Sequence, residues 1–300
     1  MTVIARSEAT KQSRNFGIGA IFNCGIYSRI KRLKIRMLMT MTTGFLKKIA
    51  KMVLPYDVVL LYRRFRDKKK NKKRYGSAPK SFCPICGKAS YFGVSGNPPR
   101  ERARCVFCGS LERHRLLWLF LKKKTALFDK RDKKILHVAA EMCFAGRFKR
   151  AFGKNYLTAD LNDPRAMVKM DITDIRFPDE SFDVVICNHV FEHIVDDIKA
   201  MRELYRVLKE SGWAILLVPM EDMDKTHEDF SITTDRGRKA AFGQSDHVRR
   251  YGRDYIDRLK SAGFNVTVVK DHEFVNAEEI DRCVLSENAE GMEIIYCTKN

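Results

Sequence analysis

ILHVAAEMCFAG, Ile135 to Gly146, is the stretch on which the fold turns. It stands where a doubly wound nucleotide-binding fold places the glycine-rich turn between its first strand and first helix, yet its single glycine comes at the far end. Downstream, short apolar runs alternate with helical patterns: KILHVAA, a helix near Ala145 to Phe152, YLTAD, FDVVICN, the helix IKAMRELYRVL, WAILLVP, the helix RDYIDRLKSAG, FNVTVV and MEIIYCT. Strand and helix in alternation predict a mostly parallel sheet covered on both faces. Within IKAMRELYRVL, Ile198, Met201, Leu204, Val207 and Leu208 recur at helical spacing and read as core. Gly263, directly after Leu259 to Ala262, fits a helix stop.

Around this body, 300 residues with 45% hydrophobic content suffice for one large domain and a small satellite. Of 57 basic and 37 acidic residues, 21 basic and 3 acidic fall among the first 80, leaving 36 against 34. The basicity belongs to an N-terminal arm, and the near-neutral body argues against a broad nucleic-acid-binding face. Residues 1–43 show no sustained period and read as a disordered or misassigned tail; MTVIARSEATKQS resembles translated repeat-element sequence, and Met37, Met39 and Met41 offer later starts. FLKKIAKMVLPYDVVLLYRRF, Phe45 to Phe65, is amphipathic and basic, with Pro55 dividing it into two short helices. RDKKKNKKR, Arg66 to Arg74, reads as a solvated linker. Residues 44–80 thus form a basic helical arm whose apolar face meets either the protein body or an anionic membrane surface. No apolar run reaches the roughly 18 to 20 residues of a membrane span. The expected location is the cytoplasm, with peripheral contact at the inner membrane surface through residues 44–74 as the variant of that reading.

Nine cysteines are too scattered for a disulfide scaffold. Four fall in two pairs, Cys83-Pro-Ile-Cys86-Gly and Cys105-Val-Phe-Cys108-Gly, separated by eighteen residues. That is the spacing of a four-thiolate zinc ribbon over residues 81–112, in which a closed coordination sphere makes the zinc structural. A redox dithiol is the competing reading. Cys143 and Cys187 read as small core hydrophobes.

From Ile135 the order is strand, loop, helix, a strand ending in Asp160, then MDITDIRFPDESFDVVICNHVFEHI and RELYRVLKESGWAILLVP. Together with CGSLERHR (Cys108 to Arg115) and FGQSDHVRRYG (Phe242 to Gly252), this resembles the class I S-adenosylmethionine-dependent methyltransferases, in particular bacterial enzymes with an N-terminal zinc ribbon. The resemblance covers roughly residues 81–300 and implies an α/β fold, a doubly wound seven-stranded Rossmann-like sheet over residues 113–300 whose last strand is antiparallel. Its cofactors would be S-adenosylmethionine and a structural zinc ion. Asp160 would take the ribose hydroxyls with Leu161 beside it, and Asp171 with Ile172 would meet the adenine. Asn188 and His189 would face the methionine portion and the acceptor, and Asp183 would be structural. In the loop, His137, Ala139, Glu141 and Gly146 would contact the cofactor, with His137 where the family carries an acidic residue. An alanine at a glycine position restricts positive φ, but this cofactor has no pyrophosphate for the turn to cradle.

The implied chemistry is an in-line displacement in which an acceptor oxygen or nitrogen takes the methyl group and the enzyme removes a proton. His189 and His247 are the candidate bases; His193 in FEHI reads first as structural. Residues 221–250 form a long polar segment of the kind that covers a substrate, and Gln244, Asp246 and Arg249 are its candidate substrate contacts. The acceptor reads as a polar small molecule or glycan, such as a sugar of a surface-polysaccharide precursor. The rivals are a ribosomal or transfer RNA methyltransferase, which the neutral body and the absence of an N-P-P-Y-type motif after FDVVICN disfavour, and a non-catalytic scaffold. Nothing in the residues specifies an oligomeric state.

Overall fold

The computed structural model describes residues 56–96, 98–285 and 293–299. The readings made on residues 1–55 lie outside the described residues. The chain divides into two compact units at Ala78.

In the first unit, α1 (Tyr56–Tyr75) is one continuous helix. The sequence led us to expect a helix ending at Phe65 and a linker from Arg66; instead the charged block stays helical. Lysine and arginine are good helix formers, and Lys72, Lys73 and Arg74 lie in the last turn, at the negative end of the helix dipole. Leu61 and Phe65, four residues apart and therefore on one face, are exposed.

The second unit opens with two small hairpins. β1 (Ser81–Cys83) pairs with β2 (Lys88–Ser90), and β3 (Gly93–Ser95) with β4 (Arg100–Arg104). Then come α2 (Glu112–Lys123), β5 (Ile135–Val138), α3 (Met142–Phe152), β6 (Tyr156–Asp160), β7 (Val168–Lys169), β8 (Phe182–Asn188), α4 (Asp197–Val207) and β9 (Leu208–Leu217). The chain continues through β10 (His227–Glu228), α5 (Asp235–Phe242), β11 (Arg249–Arg250), α6 (Tyr255–Ser261), β12 (Asn265–Val269), α7 (Ala277–Cys283) and β13 (Ile294–Thr298).

Seven strands form one sheet in the order β12-β13-β9-β8-β5-β6-β7. β13 runs antiparallel to both neighbours and the remaining pairs are parallel. β5, β6 and β8 are buried along nearly their whole length, as strands covered on both faces must be. Trp118 of α2 stacks on Phe144 and Phe148 of α3, which closes one face of the sheet with aromatic area. Arg115, fully buried, donates to the carbonyls of Ala103 and Ser110 and to those of Cys283 and Val284. One guanidinium thereby ties the cysteine-bearing hairpins to the end of α7. After α6, Gly263 takes φ +110 with Tyr205 3.0 Å from where a Cβ would sit, the helix stop that the sequence suggests.

The register sets up the site. Val138 is level with Ala159 on one side and with Cys187 on the other. Ala139, Asp160 and Asn188 therefore emerge together at the carboxyl ends of β5, β6 and β8. Chain order reverses here, β6 lying to one side of β5 and β8 to the other, and such a switch point opens a crevice.

Candidate active site and cysteine cluster

The glycine-poor turn is held by a buried polar chain. His137, wholly inaccessible, bonds Tyr156 Oη through Nδ1 (2.9 Å) and Glu141 Oε2 through Nε2 (2.6 Å). Asn188 Nδ2 donates to Glu141 Oε1 at 3.0 Å. Glu141 stands at the N-cap position of α3 without a side-chain capping bond, where the helix dipole favours a negative charge. Burial pushes its carboxyl up, but the hydrogen bond and charge of His137, the charge of His114 and the Asn188 amide outweigh burial and hold it at about 2. Ala139 adopts φ 47, so the left-handed backbone that glycine would supply is present with a Cβ attached. Its amide donates to Ala159 O at 2.8 Å, which holds that strained residue in place.

At the end of β6, Asp160 Oδ1 accepts from the amides of Asn162 (2.7 Å) and Asp163 (2.8 Å), while Oδ2 has no hydrogen-bond partner among the described residues. Leu161, Met142 and Met167 are exposed, and Arg165 links Met142 to this corner. Apolar side chains left in water beside an unpaired carboxylate oxygen suit an aromatic base with a ribose. The Oδ1 atom of Asp171 accepts from the amide and hydroxyl of Thr173, so part of the side chain serves its own turn. Asp183 accepts from Lys134 N and Lys209 Nζ at the start of β8, a structural placement.

Several expected contacts are displaced. Gly146 sits in the second turn of α3 with open space around it, a helix-surface position rather than a loop. The Ile172 side chain is buried in the core. His137 is sealed beneath Glu141 and reaches a ligand only through it. Arg249 is also buried: it donates to Glu228 and to the carbonyls of Phe191, Ile194 and Val195, which leaves its guanidinium committed within the protein. Gln244 and Asp246 are exposed, as substrate contacts require.

Two side chains next to Glu141 escaped sequence reasoning, although the motif containing them stood out. Arg113 and His114 open α2 and lie close enough to Glu141 to feel its charge. Arg113 Nε and His114 Nε2 are buried without a hydrogen-bond partner, as is Asn188 Oδ1. Burial, and then the charge of Arg113, push the His114 imidazole down to about 4, so it is neutral at physiological pH. Orphaned polar atoms around one carboxylate are costly unless a ligand completes them. The donors are placed for a carboxylate, and Glu141 with Asn188 for an ammonium, the two charged groups of an amino acid.

On the acceptor side, His189 adopts φ 55 and its amide bonds Leu217 O at 2.7 Å. Its Nδ1 lies 3.5 Å from Glu192 Oε1. His247 is buried and meets His193 edge to face, with ring centroids 4.7 Å apart. Burial, with the neighbouring His193, pushes the His247 imidazole down. Gly252 lets two segments touch: a Cβ there would lie 2.6 Å from Met223 O.

Cys83, Cys86, Cys105 and Cys108 converge, with Cys83 Sγ 3.5 Å from Cys108 Sγ and Cys86 Sγ 3.7 Å from Cys105 Sγ. Four thiolates around a tetrahedral ion with bonds of about 2.3 Å would be about 3.8 Å apart. Sulfur hydrogen bonding, first with Cys105, pulls the Cys83 thiol far down, and Cys105 is pushed far up. One thiolate forms at its neighbours' expense, and all four coexist only around a cation.

The family described as "Methyltransferase domain" matches residues 144–216. The "Uncharacterized methyltransferase YcgJ" of Bacillus subtilis is 39% identical over 56 residues, 19% of this chain and 22% of that protein. The match thus spans about a fifth of the curated relative's length. The solved structure of YcgJ is 18% identical, covers 61% of this chain and 94% of its own, and gives a TM-score of 0.37. A methyltransferase dependent on S-adenosylmethionine from Archaeoglobus fulgidus is 17% identical, covers 62% and 94%, and gives 0.39.

Proposed function

We propose, from the methyltransferase domain that the chain carries, that the protein transfers a methyl group from S-adenosylmethionine to a polar acceptor. The observation carrying this is the convergence of Asp160, Glu141 and Asn188 at the carboxyl ends of β6, β5 and β8, with a buried unsatisfied oxygen on Asn188 and an Asp160 oxygen that has no protein partner among the described residues. When bound, the cofactor supplies a methyl group on a sulfonium, an electrophile that needs no further activation. Asp160 Oδ2 would hold the ribose hydroxyls, Glu141 and Asn188 the ammonium, and Arg113 with His114 the carboxylate. Holding both reactants in line accounts for much of the rate gain in such a transfer. His189, partly exposed beside Glu192, would take the acceptor proton; His247, the other candidate base, is buried against His193.

The acceptor that we favour is a sugar or surface-polysaccharide precursor, to which the exposed Gln244 and Asp246 would offer polar contacts. The four cysteines would hold a structural zinc ion. Leu61 and Phe65, exposed among the basic residues of α1, support peripheral contact with an anionic membrane surface. No helix among the described residues is long and apolar enough to cross a membrane.

Calorimetric titration of the zinc-loaded protein with S-adenosylmethionine tests the reading. Saturable binding, weakened tenfold or more in Asp160→Ala, is expected; a folded protein that releases no heat would sink it. Extracts incubated with methyl-labelled cofactor, with and without the protein, would then reveal the acceptor.

A further inference from the structure

Next to the cofactor crevice lies a second group of metal-binding side chains that neither the cysteine cluster nor the cofactor accounts for. Glu192, His193 and His247 bring one ligand atom each to within 4.8 Å of one another. Glu192 and His193 lie on the 3-10 turn Phe191–His193, three residues beyond the end of β8, whereas His247 comes from the loop before β11. The two segments are fastened together: Val248 N donates to Glu192 O at 2.8 Å, and the buried Arg249 grips the carbonyls of Phe191, Ile194 and Val195. This fastening explains why a fully buried arginine stands in the loop.

We propose that Glu192, His193 and His247 form a site for one divalent transition-metal ion of the zinc class, open on the side of the methyl acceptor. Three independent features support it. First, Glu192 is 2% exposed, and its Oε2 has no hydrogen-bond partner. Burying a carboxylate with an unpaired oxygen costs several kcal/mol unless a cation meets it. Second, His193 already spends one ring nitrogen on a main-chain carbonyl: its Nδ1 lies 3.1 Å from Asp246 O, and His247 packs edge to face against the same ring. Such a bond fixes the tautomer and turns the other nitrogen's lone pair outward, the arrangement that metal-ligating histidines show. Third, two imidazoles and one carboxylate are the protein ligands of open zinc sites, which keep a fourth position for water or substrate. Ligand atoms on such an ion stand about 3.3 Å apart, so modest side-chain rotation closes the cluster.

His189 Nδ1, 3.5 Å from Glu192 Oε1, flanks the opening, and the side chains of His189 and His193 are about one third exposed, so an ion and a ligand can enter. That the open position takes an acceptor oxygen, as a sugar hydroxyl would supply, rests on the methyl-transfer reading; the ion itself does not.

Reconstitution with cobalt(II), followed by metal analysis and absorption, tests the site. The full-length protein should bind two ions per chain. One would show intense thiolate charge-transfer absorption from the cysteine cluster, and the other only weak ligand-field bands. The second should vanish in Glu192→Gln and His247→Ala, and in His193→Ala, whose partly exposed side chain makes misfolding the least concern. The first should persist in all three and be lost in Cys83→Ser. A single ion per chain in the unaltered protein, or a second ion retained by His193→Ala and Glu192→Gln, would overturn the proposal. Binding of two ions without S-adenosylmethionine would keep the metal site and remove the methyl-transfer reading; cofactor binding with one ion would do the reverse.

Discussion

Replacing Glu141 by glutamine isolates the charge at the centre of the crevice while keeping its shape. The Glu141 carboxyl stands at about 2 in the folded protein against an ordinary value of 4.5, chiefly because the His137 hydrogen bond and charge, with the Asn188 amide, outweigh its burial. Its side chain is 17% exposed, so solvent screens the interaction little. The difference corresponds to about 3 kcal/mol of folding free energy at neutral pH. A carboxyl whose folded value is depressed contributes its full stability above the unfolded value, near 4.5, and loses it as pH falls towards about 2. Glu141→Gln should therefore be less stable than the unaltered protein by about 3 kcal/mol at pH 7, and the gap should narrow as pH falls from 4.5 to 2. Urea unfolding at a series of pH values measures it. Zinc held by the cysteines would leave both proteins in acid, so that loss would cancel in the difference. Equal stabilities at pH 7, or a gap unchanged at pH 2, would refute the electrostatic account of this turn.

Arg249→Met strips the carbonyls of Phe191, Ile194 and Val195 of their donor, while Arg258 stays paired with Glu228 and Asp197, and it should cost about 3 kcal/mol, read as a lowered unfolding midpoint. Gly252→Ala puts a methyl group against Met223 O and the Lys225 carbonyl carbon, each 2.6 Å away; acceptor turnover should fall while calorimetry shows cofactor binding unchanged. Arg113→Gln should weaken S-adenosylmethionine about tenfold or more, the loss of one charge-assisted contact of about 1.5 to 3 kcal/mol, with little change in zinc content.

The sheet was legible in the sequence because the signals that specify it are local. YLTAD and FDVVICN are β6 and β8 to the residue, since a strand covered on both faces reads as an unbroken apolar run. The two CxxC pairs announced their cluster by spacing, and Asp160 and Asn188 announced theirs by ending strands. Helical continuation through Arg66 to Arg74 was missed because a charge block carries no apolar period, although its residues favour helix. α5 and α7 are short and were likewise not anticipated.

What the sequence by itself determined is the order of strands and helices, the parallel frame and the chemistry available at the strand ends. Which side chains face the crevice was decided only by tertiary structure. His137 lies in the strand as expected, but sheet packing turns it inward beneath Glu141. Arg249, a surface residue by type, is buried because its loop returns across the turn after β8. Arg113 and His114 reach Glu141 because α2 docks on α3 through Trp118, Phe144 and Phe148. His193 and His247, 54 residues apart in sequence, meet because Val248 and Arg249 fasten their segments together. Periodicity along a chain reports which face of an element is apolar. It carries no information about which distant segment that face will meet, and in this protein those meetings set the charge, the tautomers and the unpaired atoms of the site.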